Sequence, residues 1–464
     1  MPKKIILPRE FPGATWFGEE EEKAVLRVIR NQSPFRYYGP NLVGEAKQFE
    51  REFGRFMASL PTNFDPPKEE QKFHVTAVNS GTGALEIALE ALGVGCGDEV
   101  LVQGFMWIAT ISAIVRNRAI PVLVDSDDTL NMDPEDLRQK ISDRTKVVIP
   151  VPMLGGCAKI GQIMEIVRDA NSDRLLRNMF PIRVLEDNAQ SLGALAKGKP
   201  GSLTPEEKGV YRIGCFGDVA TFSLQINKNI TAGEGGVIIT KDLKIHERIQ
   251  AIHNVGFAAK SDTPVDWYGD QPLTWGQGRR ISEMQAAIAR AQLGKLDLIL
   301  GKMQESHDRI AAKLAKLDKI ELRGKANDEI DGNTKSFLIF RIKYSTNMPD
   351  DEKIKQGRDI VNQLNDRGIL SIFLHDYEVH VYYNIIQLLE RKDVNNGCPW
   401  ECPRNAFHEE HSYDRGTLPH LDALFISSIG INIPSKLSGD QEAEMCDIIL
   451  DVLNNIRINR CLHL

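Results

Sequence analysis

The chain has 464 residues, of which 42% are hydrophobic and 26% charged, and it carries a formal net charge of -7. This length suits a large domain with a smaller companion, and the composition is that of a globular protein rather than a disordered, fibrous or membrane one. The acidic balance disfavours nucleic acid as a partner, because it leaves no basic surface for phosphate groups.

The N-terminal stretch MPKKIILPREFPGATW lacks the small-residue cleavage site of a signal peptide, and no later stretch reaches the roughly 18 apolar residues of a membrane span. We therefore expect a cytoplasmic protein with no membrane partner. Apolar residues at helical spacing predict amphipathic helices over residues 19–31 and 45–57. Residues 1–40 are assigned to an N-terminal arm and helix.

From His74 onward, short apolar runs alternate with helical segments. Strands that are separated by helices need crossover connections, which predicts a mostly parallel sheet with helices on both faces. We expect a helix that begins near Gly83 and a long helix over residues 281–300. Residues 41–295 are assigned to this large α/β domain. The predicted strands lie in HVTAVNS, DEVLVQG, AIPVLVD, TKVVIPV, IRVLEDN, VATFSL and GGVIIT.

The remainder of the chain mixes strands and helices without strict alternation, which is typical of an α+β arrangement. Strands are predicted in IELRG, SFLIFRIKY, GILSIF and FISSIGINI, and helices near residues 359–367 and 438–454. Residues 296–464 are therefore assigned to a smaller C-terminal domain.

The segment NSGTGALEIAL is the first that carries possible chemistry. A strand ends at Ser80 and a helix follows, so free backbone N–H groups around Gly81, Thr82 and Gly83 are available to a phosphate. The alternative is that the serine only caps the helix, which is the more common arrangement when such a segment stands alone.

The segment IRVLEDNAQSLGA is an apolar strand that ends in Glu186 and Asp187. Carboxylates at the C-terminal end of a parallel strand lie where α/β sheets bind ligands. A buried aspartate beside a pyridine nitrogen keeps that nitrogen protonated. Without the other segments, an aspartate that caps the following helix would explain this residue as well.

The segment DVATFSLQINKNITAGEGGVIIT contains Lys228 between two apolar strands, with Ser223 five residues earlier and a glycine-rich turn close behind. A lone loop lysine is normally a solvated charge. Here the apolar strands on both sides favour a lowered pKa of the Lys228 ammonium. A lysine amine with a lowered pKa can form an imine with an aldehyde.

Taken together, these segments resemble the DegT/DnrJ/EryC1/StrS family of sugar and cyclitol aminotransferases, which have the aspartate-aminotransferase architecture (fold type I). The resemblance extends from about Phe17 to Leu300 through four ordered blocks, NSGTGALEIALEALGVGCGDEVLV, LEDNAQSLGA, the lysine segment and RRISEMQAAIARAQLGKLD. Relative to the family, the segments near 59–74, 198–214 and 391–415 are interpreted as insertions.

The resemblance implies a bound pyridoxal 5'-phosphate, with pyridoxamine 5'-phosphate in the half-reaction. Lys228 would hold the cofactor as a Schiff base and Asp187 would pair with its pyridine nitrogen. Gln190 would donate to its phenolic oxygen, and Trp107 would stack on its ring. The phosphate would be held by Gly81, Thr82 and Ser223.

The function that the resemblance implies is transfer of an amino group from L-glutamate or L-glutamine to a keto sugar or keto cyclitol. Lysine at position 228 disfavours the family's dehydratase branch, which has histidine there. A dehydratase or oxidase that retains lysine is an alternative, and so is a non-catalytic regulatory homologue. The latter would be marked by loss of the lysine, the aspartate or the stacking ring.

A homodimer is also expected from the resemblance and from the general preference for closed symmetric pairs. Arg36 and Tyr37 in SPFRYYGP are candidates for contact with a sugar substrate or with a second subunit. Arg280 is a candidate to reach the neighbouring subunit's cofactor. The family usually has an asparagine at the position of Gly278, so Arg279 or Arg280 would replace that contact.

The seven cysteines are odd in number and scattered, which predicts reduced thiols rather than a disulfide framework. Cys398, Cys402, His408 and His411 fall close together in GCPWECPRNAFHEEH and are possible zinc ligands. The segment is rich in Pro, Asn and Glu, so we interpret it as a surface loop and expect no metal.

Overall fold

The computed structural model describes residues 4–8, 11–60, 72–201, 209–257, 272–326 and 330–456. Of the three segments interpreted as insertions, the one at 391–415 is described throughout. Residues 61–71 and 202–208 of the other two lie outside the described residues, as does Cys461.

The strands agree closely with the apolar runs of the sequence. Each of the seven predicted strands of the large domain is present, and a short hairpin is added between the strands of IRVLEDN and VATFSL. The strands are β1 His74–Val78, β2 Glu99–Gln103, β3 Ile120–Val124, β4 Thr145–Ile149, β5 Arg183–Asp187, β6 Leu195–Gly198, β7 Gly209–Arg212, β8 Val219–Ser223, β9 Gly236–Thr240, β10 Ile320–Leu322, β11 Phe337–Ile342, β12 Ser371–Phe373 and β13 Ser428–Asn432.

The α-helices occupy the connections between these strands and both ends of the described chain. None of them is both long and apolar enough to span a bilayer. They are α1 Glu19–Arg30, α2 Glu45–Ala58, α3 Gly81–Ala91, α4 Ile108–Arg116, α5 Pro134–Lys140, α6 Ile160–Leu176, α7 Leu243–His253, α8 Glu283–Leu293, α9 Leu296–Leu314, α10 Asp350–Asp366, α11 Ile386–Leu389, α12 Pro419–Phe425 and α13 Gly439–Asn454.

The large sheet has seven strands in the order β1-β9-β8-β5-β4-β2-β3. All neighbouring pairs from β8 to β3 are parallel, whereas β9 runs antiparallel to both β8 and β1. The sheet is covered on both faces: Val100 and Val102 pack in one apolar core and Leu101 in another. Alternating side chains of one strand thus enter opposite cores, which confirms the mostly parallel, doubly covered α/β sheet.

The long helix predicted over residues 281–300 is wrong as a single element, because the chain bends between α8 and α9 at Gly294 and Lys295. At this bend the Lys295 ammonium contacts Glu21 of α1 at 2.7 Å and the carbonyl oxygen of Trp16 at 2.8 Å. Apolar spacing alone did not reveal this because both helices are apolar along one side. Helix α3 also begins at Gly81, two residues before the predicted start.

The C-terminal part contains a second sheet of four antiparallel strands in the order β10-β11-β13-β12. Helix α10 begins at Asp350 rather than near residue 359. The N-terminal arm contacts both parts: the N–H of Ile5 donates to Arg367 O at 3.0 Å and the N–H of Gly13 donates to Lys228 O at 3.1 Å. The division of the chain into domains after residues 40 and 295 stays a proposal.

Candidate active site

A cavity of about 1070 Å³ opens beyond the carboxyl ends of β5 and β8, between the large sheet and the C-terminal part. In parallel α/β sheets this edge is the usual place of a ligand site. The seven residues that the resemblance assigned to the cofactor of the same subunit all line this one cavity. They are Gly81, Thr82, Trp107, Asp187, Gln190, Ser223 and Lys228.

Lys228 lies on the connection from β8 to β9 and is half-buried. The connection is held in place by its backbone, since the N–H of Lys228 donates to Gln225 O at 3.1 Å. The side chain of the next residue, Asn229, donates to Leu192 O at 3.0 Å. Burial lowers the pKa of the Lys228 ammonium, and the charge of Asp187 opposes this shift. The cavity therefore contains an amine that loses its proton more readily than a surface lysine.

Asp187 is the last residue of β5 and is 3% exposed. Its Oδ2 accepts a hydrogen bond from the Thr110 hydroxyl at 2.7 Å, and its Oδ1 accepts from the Ala189 N–H at 3.3 Å. Burial raises the pKa of this carboxyl, while the Thr110 and Ala189 hydrogen bonds and the Lys228 charge favour the ionised form. A positively charged ligand atom in the cavity would relieve the cost of burying this charge.

The preceding residue, Glu186, points to the other face of the sheet because side chains alternate along a strand. Its carboxylate accepts three backbone N–H groups, from Gly214 at 2.6 Å, Phe216 at 2.9 Å and Gly217 at 2.7 Å. Burial raises the pKa of Glu186 as well. This glutamate therefore fixes the loop before β8, and only its neighbour Asp187 faces the cavity.

The start of α3 forms one wall of the cavity. Ser80 caps the helix by accepting the N–H of Gly83 at 3.0 Å, so the capping role considered from the sequence is real. The N–H groups of Gly81 and Thr82 belong to the first helical turn, whose amides have no partner within the helix. A Cβ on Gly81 would lie 2.9 Å from the Ser223 Cβ and 3.0 Å from its Oγ. Glycine at position 81 thus permits an amide-lined wall directly beside the Ser223 hydroxyl.

Gln190 follows β5 and reaches towards the loop after β4. Its Oε1 accepts the N–H of Leu154 at 2.9 Å. The carbonyl end of the amide is therefore engaged, and its NH₂ group is the part that can donate to a ligand in the cavity.

Trp107 is the residue before α4 and is 42% exposed, which leaves its ring available to the cavity. Its ring centroid lies 4.6 Å from that of His380, which in turn stacks on Tyr377 with centroids 3.9 Å apart and an interplanar angle of 2°. Burial lowers the pKa of His380 to about 4, so this imidazole is neutral at pH 7. Tyr377 and His380 form an aromatic wall that the C-terminal part contributes next to Trp107.

Sequence reasoning missed Thr110, Tyr377 and His380. Thr110 stands three residues after Trp107, one helical turn away, and this spacing is the signal that could have revealed it. Tyr377 lies between two short 3₁₀ turns, Leu374–Asp376 and Glu378–His380, and His380 ends the second, so no periodic pattern marks either residue.

The three residues nominated for substrate or subunit contact do not line the cavity. The Arg36 guanidinium is bound to the Glu50 carboxylate at 2.8 and 3.0 Å and to Ala77 O at 3.1 Å. The Tyr37 hydroxyl lies 3.0 Å from Nε2 of the buried His253. Arg280 donates to Oδ1 of Asn254, the residue that follows His253 in the chain, at 2.7 Å. All three therefore gather around the end of α7 rather than around Lys228.

Gly278 has a positive φ of 67°, a conformation that glycine adopts without strain. The neighbouring Arg279 packs against the start of α3: a Cβ on Gly83 would lie 3.0 Å from its Cδ and Nη1. Its guanidinium also pairs with Glu86. A cation of the same chain therefore stands next to the amide-lined wall, at the position where an intersubunit asparagine was expected.

The possible zinc ligands do not converge. His411 lies 3.4 Å from Glu99, and the His408 ring contacts Trp400 with centroids 5.8 Å apart. Across the described ranges, no group of three or more His, Cys, Asp or Glu side chains is arranged to hold a metal ion.

Comparison with known proteins identifies a family whose model matches most of this chain. The model of the DegT/DnrJ/EryC1/StrS aminotransferase family matches residues 18–389. GDP-perosamine synthase of Escherichia coli O157:H7 is 32% identical over 281 residues, which are 58% of this chain and 69% of that protein. L-glutamine:2-deoxy-scyllo-inosose aminotransferase of Streptomyces kanamyceticus is 36% identical over 228 residues, 48% of each chain. The solved PLP form of Spr1654 from Streptococcus pneumoniae shares the fold, with a TM-score of 0.71 at 22% identity, over 97% of this chain and 99% of that one.

Proposed function

This chain belongs to the DegT/DnrJ/EryC1/StrS aminotransferase family, and we propose that it binds pyridoxal phosphate and aminates a keto sugar or keto cyclitol. The amino donor in this proposal is L-glutamate or L-glutamine. The observation that carries the proposal is the pairing of a half-buried lysine with a buried aspartate in one large cavity whose wall is the start of a helix.

The residues present suit this cofactor. When bound, pyridoxal phosphate supplies an aldehyde that condenses with amines and a protonated ring that withdraws electrons from the carbon next to the amine. Because residue 81 has no side chain, the start of α3 lies close to Ser223 and leaves space for a phosphate against the amide N–H groups of Gly81 and Thr82. The helix dipole also favours an anion at this place. The Arg279 cation beside the same wall adds to this preference.

Lys228 has two roles in the proposal. Its lowered pKa makes the neutral amine more abundant at pH 7, so it can bond to the aldehyde carbon. When not bonded to the cofactor, the same amine would take the proton from the donor α-carbon and return it to the cofactor carbon. A group with a pKa near the working pH performs both transfers best.

Asp187 would hold a negative charge at the ring nitrogen of the bound cofactor. Thr110 and the Ala189 N–H fix the orientation of its carboxylate, and the buried surroundings keep water from screening it. The Gln190 amide would donate to the ring oxygen, and the Trp107 ring would cover one face. The aromatic wall of Tyr377 and His380 is then the part of the cavity left for the acceptor.

The activities for which two relatives are named support the substrate class. Perosamine synthase and the inosose aminotransferase are named for an amino sugar and for a cyclitol, respectively. Glutamine is the donor in the second name. We further propose a homodimer, and a cytoplasmic location on the sequence grounds given above.

The decisive test is to load the protein with pyridoxal phosphate, reduce it with borohydride and map the labelled peptide. The label should be on Lys228 and should be absent in Lys228→Ala. Lys23→Ala removes a surface lysine whose side chain is 72% exposed and serves as the matched control. Label on another lysine of the wild type would overturn the assignment.

The donor and acceptor are tested next on the loaded protein. L-glutamate and L-glutamine are added separately, and the loss of aldehyde absorbance is followed. The aminated form is then offered keto sugars and keto cyclitols, and the aldehyde absorbance should return with the true class. Return with simple 2-keto acids only would refute a sugar or cyclitol acceptor.

A further inference from the structure

The loop that follows β4 contains two adjacent glycines, and both make room for side chains of the C-terminal part. A Cβ on Gly155 would lie 2.3 Å from Thr334 Oγ1. A Cβ on Gly156 would lie 2.1 Å from Nη2 of Arg323. A side chain at either position would therefore push the C-terminal part away from this loop, which is one of the segments that line the cavity.

Arg323 holds the loop from the C-terminal sheet. It follows β10, and its backbone N–H donates to Ile339 O of β11 at 2.9 Å. Its side chain crosses to the large domain, where Nη1 donates to Met153 O at 3.0 Å and Nε donates to Thr129 O at 2.7 Å. Burial lowers the pKa of this guanidinium to about 10, so it keeps its positive charge at pH 7. A cation is thus fixed against two backbone carbonyl groups.

The carbonyl group of Met153 and the N–H of Leu154 belong to the same peptide unit. That N–H donates to Gln190 Oε1 at 2.9 Å, and the NH₂ group of Gln190 remains to donate to a ligand in the cavity. A chain of hydrogen bonds therefore runs from Arg323 through one peptide unit to the Gln190 amide. In such a chain each bond polarises the next, so a cation at its start strengthens donation at its end.

We propose that Arg323 is a positioning residue that fixes the Gln190 amide and strengthens its hydrogen bond to the ring oxygen of bound pyridoxal phosphate. Arg323 acts through the loop and does not touch the cofactor. This inference rests on the proposed cofactor site and deepens it, because it connects the C-terminal sheet with the cofactor's acidity. A donor at the ring oxygen weakens the attraction of that oxygen for the proton on the neighbouring nitrogen, and so lowers the pKa of the bound cofactor.

The test is a pH titration of the absorbance of the full-length protein loaded with pyridoxal phosphate. Gln190→Leu removes the donor and should raise the pKa of the absorbance change by about 1–2 units, because a hydrogen bond to a charged oxygen is lost. Arg323→Met keeps a long side chain without the charge and should raise this pKa by at least about 0.3 unit, since the Gln190 amide is then less polarised and less firmly held. Arg323→Lys retains the charge and should give a smaller shift.

Two further variants separate this role from simple packing. Gly156→Ala leaves Arg323 unchanged but displaces its guanidinium, so it should raise the same pKa, and it carries the test if Arg323→Met does not fold. Arg341→Met is the matched control, because Arg341 lies in β11 of the same sheet and pairs with Asp128 at 2.7 Å. It should leave the pKa unchanged. Adding Arg323→Met to Gln190→Leu should give no further shift, because Arg323 acts through that amide.

Failure of cofactor binding and failure of this inference give different results. A wild-type protein that takes up no pyridoxal phosphate would refute the proposed function itself. Normal uptake with an unchanged pKa in folded Arg323→Met or Gly156→Ala, whatever the melting temperature, would make Arg323 a packing residue and overturn the inference. An equal shift in Arg341→Met, or a further shift in the double variant, would overturn it as well.

Discussion

Replacing Thr110 with valine tests whether the hydrogen bond to Asp187 supports catalysis. Both residues are buried, and the 2.7 Å contact is the shorter of the two hydrogen bonds to this carboxylate. A hydrogen bond to a charged group contributes about 1.5–3 kcal/mol. Valine has nearly the same shape as threonine, so the change removes the donor without opening a cavity. If the whole contribution acts in the transition state, the rate falls about 10- to 150-fold.

The assay is stopped-flow absorbance of the half-reaction with the amino donor, which isolates the chemical step from acceptor binding. Thr110→Ser keeps the hydroxyl and loses only a methyl group, so it should retain a rate within a few-fold of wild type. Cofactor affinity should change little in either variant, because neither touches the phosphate wall. A Thr110→Val protein that is folded, binds cofactor and reacts as fast as wild type would show that Thr110 serves packing alone.

Other substitutions test the remaining parts of the site. Asp187→Asn should still bind the cofactor but lose several orders of magnitude in half-reaction rate, roughly 4 kcal/mol of barrier, by stopped-flow absorbance; a rate near wild type would make Asp187 a capping residue. Gly81→Ala should weaken cofactor binding at least about tenfold in an absorbance titration, because the new Cβ meets Ser223 at 2.9 Å; unchanged affinity would contradict the close-approach argument. Burial lowers the pKa of His253 in the folded protein to about 3, so between pH 6.5 and about pH 3 only the unfolded chain takes up this proton. As the pH is lowered through this range, His253 alone should reduce the free energy of unfolding by about 1.4 kcal/mol per pH unit. Urea midpoints at pH 7 and pH 5 measure this, and His253→Gln, which does not titrate, should reduce the difference.

The fold class and the family could be predicted because the signals are local. Each buried strand of the large sheet is a short apolar run, and the chemistry-bearing residues follow those runs directly. Asp187 ends β5, and Lys228 follows β8 within five residues. Since parallel strands end at one edge of a sheet, residues at their carboxyl ends had to fall near each other. The antiparallel direction of β9 left no such local mark, because its apolar run is like those of the parallel strands β2 to β5.

The aromatic wall could not be predicted for the opposite reason. His380, which stacks on Tyr377, reaches Trp107 across about 270 residues of sequence, from a turn too short to show a periodicity. Only the docking of the C-terminal part onto the large sheet brings them to the cavity, and their sequence context resembles that of an ordinary loop. The short 3₁₀ turns thus explain why sequence reasoning missed the C-terminal side of the site.

Arg36 shows how burial decides between two interpretations of one residue. A guanidinium in a loop beside two tyrosines resembles a group that binds a sugar or a nucleotide. The side chain of Arg36 is only 6% exposed, however, and its charge is matched by Glu50. To bind a substrate, Arg36 would have to leave this buried carboxylate without its countercharge, which costs several kcal/mol. Arg36 therefore holds the loop against β1, and in the proposed reaction we expect discrimination among acceptors to come from groups that line the cavity, foremost Tyr377, Glu378 and His380.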